Sequence, residues 1–418
     1  MTAAEGLGPA DTVVVVGASV GGLRSVEALR AGGFGGRLVL VGEETNLPYD
    51  RPPLSKQVLA GTWPPERATI TDDEKLAALG LDLRLGHRAG SFDAAARRVT
   101  LDDGTALEAD AVVLATGAAP RHLGGTEGND GVLVLRTLED SLRLRARVLA
   151  LGPGCRVVVI GAGFIGSEVA STCLDLGCAV TVLEGFDVPL QRALGPVVGA
   201  ACGTLHTEAG VDLRTGVGVS AVRAPGASSG SADRDGAAGR VELADGTSVP
   251  ADVVVVGIGV APATEWLEGS GLTLDNGVVC DEALFAADRV VAIGDLARFP
   301  YRDLPTRIEH WQMATDMARA AALSLLAGRR DAPTFAPVPY FWSDQYKVKL
   351  QMLGHPDAED EVAVVDGTLE SHRFVALYGR GAALTGALAI GRPRQLMSYR
   401  PLLAAGASFE EALAHPVG

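Results

Sequence analysis

The sequence predicts an α/β protein: two Rossmann-like dinucleotide-binding domains followed by a small C-terminal α+β domain. Three observations carry this. A glycine-rich turn between a buried strand and a helix occurs twice, at Gly17 and again 144 residues later at Gly161. Each copy runs on into a second apolar strand that ends in an acid, Glu43 or Glu184. From Tyr346 onward the apolar runs give way to alternating polar and apolar residues, the period of an antiparallel strand with one wet face.

The copy at Arg156–Glu184 is complete. Val157–Ile160 is a β-branched run suited to a buried parallel strand. Gly161-Ala162-Gly163-Phe164-Ile165-Gly166 is a full G-x-G-x-x-G, Ser167–Leu176 has helical spacing, and Gly177 stands where that helix should stop. Gly161 permits the tight turn, Gly163 lets a pyrophosphate approach the backbone, and Gly166 lets the helix pack on the strand. The pyrophosphate then meets unpaired N–H groups at the positive end of the helix dipole. Glu184, 23 residues after Gly161, is placed to accept hydrogen bonds from an adenosine ribose and to repel a 2′-phosphate. No Arg or Lys occurs from Gly185 to Gln191, so NAD(H) is expected over NADP(H).

The first copy departs at one position. Thr12–Val16 is the strand, and Gly17-Ala18-Ser19-Val20-Gly21-Gly22 opens a helix through Leu29, with Ser19 where the middle glycine belongs. Its hydroxymethyl group narrows the approach for a pyrophosphate. Arg37–Val41 follows, with Glu43 as the ribose acid by register and Glu44 second to it. Pro48–Lys56 (PYDRPPLSK) is held extended by prolines and carries Arg51 and Lys56; a helix is expected to begin near Leu54. Later strands end on small-residue turns at Ala115-Thr116-Gly117, at Gly257-Ile258-Gly259 and at Gly294-Asp295, the last placing a carboxylate at the mouth of a sheet. Residues 224–239, polar and glycine-rich, read as a hairpin tip, and 328–339 as a linker.

Composition narrows the function. A chain of 418 residues is too long for one core. A net charge of −15 excludes nucleic acid as a general partner. No apolar stretch is long enough to span a bilayer, and the N-terminus lacks a signal-peptide pattern. The five cysteines form no C-x-x-C pair, which suits buried thiols in a reducing compartment, so a cytoplasmic protein is expected.

Taken together, PYDRPPLSK, LATGAAPR (Leu114–Arg121), LRTLEDS (Leu135–Ser141), GAGFIGSEVA, GDLARF (Gly294–Phe299), RIEHW (Arg307–Trp311) and FWSDQY (Phe341–Tyr346) resemble the FAD- and NADH-dependent ferredoxin reductases of the putidaredoxin reductase type. The resemblance covers nearly the whole chain. It implies a glutathione-reductase-type flavoprotein, with an FAD domain at 1–120 and 251–328, an NAD domain at 121–250 and an interface domain at 329–418. It implies FAD on Gly17–Gly22 and Glu43, with Arg51, Ala115, Thr116, Gly117, Arg121, Arg136, Gly294, Asp295, His310 and Trp311 around it. NADH would lie on Gly161–Gly166, Glu184 and Gly259. Lys56 would lie near the flavin ring, Glu168, on the first turn of the second helix, near the nicotinamide, and Trp342 in the interface domain. The implied acceptor is an iron–sulfur ferredoxin feeding a cytochrome P450 or a dioxygenase, and the implied state is a monomer or weak dimer. An acidic ferredoxin needs a local basic cluster, for which Arg298, Arg302 and Arg307 are candidates. Three alternatives share the two nucleotide sites: an NADH oxidase or quinone reductase, a flavin redox sensor without turnover, and a disulfide reductase. The last needs a cysteine pair near the flavin, and residues 43–59 contain none.

Overall fold

Short runs of Val and Leu become the central strands of two parallel sheets, buried on both faces as such sheets require. The computed structural model describes residues 6–224, 238–302 and 304–416. The chain divides into two compact units. The first comprises Met1–Asp50, Glu66–Ala119 and Ala261–Pro339; the second comprises Arg51–Pro65, Pro120–Val260 and Tyr340–Gly418.

In the first unit a six-stranded sheet runs in the order Phe285–Ala287, Val290–Ala292, Ala111–Leu114, Thr12–Val16, Arg37–Gly42, Leu81–Leu85. All pairs are parallel except the one at the Phe285–Ala287 edge. Val13, Val14 and Val15 are fully buried in the central strand. The Val20–Ala31 helix packs against the Trp311–Ala327 helix, whose buried Ala318, Ala321 and Ala322 permit close approach. Sheet order changes direction at Thr12–Val16, which opens a crevice at the carboxyl ends of the strands.

The second unit repeats this plan with five parallel strands, ordered Asp212–Arg214, Ala179–Leu183, Arg156–Ile160, Val253–Val256, Val132–Leu133. The expected hairpin is present at its base: Val219–Arg223 pairs antiparallel with Gly239–Leu243, while residues 225–237 of its tip lie outside the described residues. The same unit holds a five-stranded antiparallel sheet, ordered Tyr340–Gln345, Val348–Gly354, Ala383–Ile390, Arg373–Arg380, Glu361–Thr368, followed by three short helices.

Two local expectations change. The half-exposed strand expected at 346–352 is a turn followed by a buried strand. Tyr346 and Lys347 adopt positive φ (47° and 66°) at the hairpin, and Leu350–Gly354 is buried on both faces because Val348–Gly354 lies inside the sheet. The helix expected from Leu54 is a 3-10 turn at Pro52–Ser55 and then one helical turn at Gln57–Ala60, stopped by left-handed Gly61 (φ 74°).

Candidate cofactor site

In the first unit the sequence-selected residues collect at the carboxyl ends of neighbouring strands. Gly17 follows Thr12–Val16 at φ 115°, and a Cβ there would lie 2.2 Å from the Ala115 carbonyl oxygen. A Cβ on Gly22 would lie 1.8 Å from the Gly17 oxygen. Ser19 is the N-cap, extended at φ −92° and ψ −165°; its side chain makes no capping bond, and no acid occupies the first turn through Val20 and Gly21. The first-turn N–H groups thus remain uncapped by side chains, which suits an incoming anion. Ala115-Thr116-Gly117 ends the adjacent strand, where Thr116 Oγ donates to the Ala263 carbonyl at 3.1 Å. Glu43 is exposed, 3.8 Å from Arg88, whereas Glu44 accepts from the Tyr49 hydroxyl.

Gly294, at φ 67°, and Asp295 follow Val290–Ala292, and the Asp295 carbonyl accepts from Arg307 at 3.1 Å. His310 occupies the N-cap position of the Trp311–Ala327 helix without a side-chain capping bond, and the Trp311 indole N–H donates to Asp50 at 2.8 Å. Burial pushes the Asp50 carboxyl up, against the opposing Trp311 hydrogen bond and the Arg24 charge.

The second unit builds its turn the same way. A Cβ on Gly161 (φ 100°) would lie 2.4 Å from the Gly257 oxygen, and one on Gly166 2.0 Å from the Gly161 oxygen. At Gly163 a Cβ would meet nothing within 4 Å, which leaves room above the turn. Phe164 packs edge-on against Phe341, with ring centroids 4.6 Å apart, while Ile165 is largely exposed. Glu184 is buried, and its two oxygens accept from the backbone N–H groups of Ala162 (2.7 Å) and Phe186 (3.0 Å). Two further pairs of sequence-selected residues meet. The Gly259 carbonyl accepts from the Arg121 N–H at 2.9 Å, and the Arg136 carbonyl accepts from the Arg51 guanidinium at 2.6 Å.

The densest constellation surrounds Glu168. It is the fifth residue of the Phe164–Asp175 helix, one turn in rather than on the first turn, because the helix starts at Phe164. Its carboxylate is 2.8 Å from Lys56 Nζ and also accepts from Ser55, from Ser343 Oγ (2.7 Å) and from the Asp344 N–H (3.3 Å). The side chains of Lys56 and Glu168 are 12% and 4% exposed, so this ion pair is largely removed from water and its attraction is little screened. Trp342, next to Ser343, stacks with Tyr340 at 6.1 Å. Sequence reasoning missed Ser55, Ser343 and Asp50. Each lies inside a motif it had quoted, PYDRPPLSK or FWSDQY, but only the fold shows where their side chains point.

The basic cluster expected at 298–307 is largely neutralised. Arg298 pairs with Asp275 and Arg307 with Glu309 at 2.5 Å, while Arg302 lies over the Tyr301 ring.

Comparison with known proteins agrees with this architecture. Residues 11–318 match the pyridine nucleotide-disulphide oxidoreductase family and residues 340–416 match a reductase C-terminal family. The chain is 40% identical over 404 residues, 95% of each chain, to the anthranilate 1,2-dioxygenase system ferredoxin–NAD(+) reductase component of Burkholderia cepacia. It is 37% identical to putidaredoxin reductase of Pseudomonas putida over 94% of its own length and 92% of the relative's. Among solved structures, the reductase in the covalent putidaredoxin reductase–putidaredoxin complex superposes with a TM-score of 0.87 at 35% identity, covering 95% and 93% of the two chains. The chain belongs to the pyridine nucleotide-disulphide oxidoreductase family, in its group of ferredoxin–NAD(+) reductases.

Proposed function

We propose that this protein is an NADH-dependent ferredoxin reductase that delivers electrons, through bound FAD, to an iron–sulfur ferredoxin serving a cytochrome P450 or a dioxygenase. The observation that carries the reading is the pair of glycine turns, both shaped for a pyrophosphate, in a chain that matches reductases of such systems from end to end. We assign FAD to 1–120 and 251–328, NADH to 121–250 and the acceptor-facing role to 329–418. When bound, FAD converts a two-electron donor into single-electron steps.

The protein's own part is to bind, orient and hold charge. Gly17–Gly22 would seat the FAD pyrophosphate and Glu43 its ribose; Gly161–Gly166 and Glu184 would do the same for NADH. The Lys56 ammonium would stabilise negative charge on the reduced ring, and Glu168 fixes where that ammonium sits. Ser55, Ser343 and the Asp344 N–H keep the Glu168 carboxylate solvated by fixed donors in place of water. Turnover as a disulphide reductase does not fit, because that needs a cysteine pair beside the flavin and the first unit contains Cys280 as its sole cysteine.

We place the protein in the cytoplasm as a monomer or weak dimer. Its cysteines form no disulfide, and no helix among the described residues is long and apolar enough to cross a membrane. The test is stopped-flow reoxidation of the NADH-reduced protein by a ferredoxin, a quinone and dioxygen. Acceleration by ferredoxin alone is expected. Equal or faster reoxidation by quinone or dioxygen makes it a small-acceptor oxidase instead.

A further inference from the structure

The sequence spaces its cysteines without a recognisable pair, but the fold brings two of them together. Cys155 and Cys178 directly precede the paired residues Arg156 and Ala179 of two adjacent parallel strands, and their sulfur atoms are 3.3 Å apart. The Ala179 N–H donates to the Cys155 carbonyl, and the Gly154 N–H to the Gly177 carbonyl, which pins the two chain segments side by side. Both sulfurs are buried, Cys155 completely and Cys178 at 5% exposure, yet each is preceded by an exposed glycine, Gly154 or Gly177. The pair sits at the amino-terminal end of the strands, opposite the glycine turn at Gly161, so nothing in the proposed cofactor chemistry uses it.

We propose that Cys155 and Cys178 are an oxidation site that closes to an intramolecular disulfide under peroxide. In the reaction the Cys178 thiol, the more accessible one, loses its proton and its sulfur attacks one peroxide oxygen. The O–O bond breaks, giving a sulfenic acid and one water once the leaving hydroxide takes up the released proton. The Cys155 sulfur then displaces the hydroxyl, which leaves with the Cys155 proton as a second water. Overall, two thiols and one hydrogen peroxide give one disulfide and two waters. Sulfurs already in contact need to close from 3.3 Å to a bond of about 2.0 Å. The ring so formed encloses the whole Arg156–Ile160 strand and Phe164–Asp175 helix, and with them the glycine turn and Glu168.

Chemistry sets the rate. A hydrogen bond with Cys173 and then burial push the Cys178 thiol up, so little thiolate is present near neutrality. The reaction is therefore slow at neutral pH and quickens as pH rises. Cys173 is also the neighbour that could capture the sulfenic acid in place of Cys155.

The test is to incubate the full-length protein with hydrogen peroxide at neutral and alkaline pH, followed by thiol titration in denaturant, intact mass and peptide mapping. Thiols should fall from five to three. The mass should drop by about 2 Da for the pair of hydrogens lost, and a Cys155–Cys178 linked peptide should appear that dithiothreitol removes. Cys155→Ser should abolish that product, and Cys202→Ser, altering another buried thiol, should not. Oxidised wild-type protein should also melt at a higher temperature, because the link restricts the unfolded chain. Five surviving thiols, mass gains of sulfinic acid in place of the loss, or a linked peptide joining any other pair would overturn the proposal. Mapping of the unsubstituted protein decides the question even if the serine variant does not fold.

Discussion

The turns at Gly17 and Gly161 differ at their middle position, Ser19 against Gly163, and the difference separates two jobs that glycine performs. The first glycine of each turn adopts a positive φ and lies against a carbonyl, and the last would push a Cβ into the first glycine's own oxygen. Neither place admits a side chain. The middle residues are both extended, Ser19 at φ −92° and Gly163 at φ −73°, a conformation open to any L-residue. Glycine there is not required by the backbone, and a Cβ on Gly163 would meet nothing within 4 Å, so a side chain at this position costs space above the turn and no strain within it. The units differ again at their acids. Glu43 stands exposed, while Glu184 is held by two backbone N–H groups, and Glu168 adds a buried pair with no counterpart in the first turn. The Glu184 carboxylate is thus held in place by its own backbone, whereas Glu43 has, among the described residues, only the Arg88 guanidinium, 3.8 Å away, beside it.

The sharpest way to break this contrast is at Glu168. Glu168→Ala leaves the Lys56 ammonium buried without its carboxylate and strands the Ser55 and Ser343 hydroxyls, so a loss of about 3–5 kcal/mol is expected by denaturant unfolding. An unchanged unfolding midpoint would show that the pair is hydrated and does not set the second turn apart from the first.

Acid should distinguish the units next. His206 is fully buried with its Nδ1 2.7 Å from the Tyr346 hydroxyl, and burial pushes the imidazole down to about 4 from an ordinary 6.5. The unfolded chain then binds the extra proton first. Stability from this group is complete above about pH 6.5 and falls as pH drops towards about 4, by up to about 3 kcal/mol. His206→Gln should flatten that part of the pH profile in thermal melts; an equally steep profile in the variant would place the sensitivity elsewhere.

At the turns themselves, Gly166→Ala and Gly22→Ala should each cost about 2–3 kcal/mol from overpacking, with loss of NADH binding in the first and FAD retention in the second. Gly163→Ser should cost less than about 1 kcal/mol in the same assays, since it copies what the first turn already carries. If Gly163→Ser is as harmful as Gly166→Ala, the division of labour among the glycines is wrong. A smaller effect is expected at the acids. Glu184→Gln should weaken NADH binding by about tenfold, or about 1.4 kcal/mol, by titration and narrow the preference over NADPH. Glu43→Gln should change FAD retention less. The reverse order would mean that tethering by Ala162 and Phe186 occupies Glu184 rather than preparing it.

The sequence by itself determined the two nucleotide units. Strand, turn, helix and acid are contiguous, and their periods and glycines are local properties that a chain displays before it folds. For the same reason Ser19 and Glu184 could be singled out by position alone, whereas Glu168 and the role of Lys56 came only from the resemblance to ferredoxin reductases. Local pattern failed where burial comes from distant neighbours. Residues 346–352 alternate like an edge strand, yet strands on both sides bury the part from Leu350 onward. Only the tertiary structure decided that Glu168 would meet Lys56, Ser55 and Ser343, residues up to 175 positions away, or that Arg298 and Arg307 would be neutralised by Asp275 and Glu309. Cysteines 23 positions apart carry no signal as a pair until a parallel register sets their sulfurs side by side. Side-chain encounters of this kind depend on how sheets and helices stack, and no periodicity within one segment encodes them.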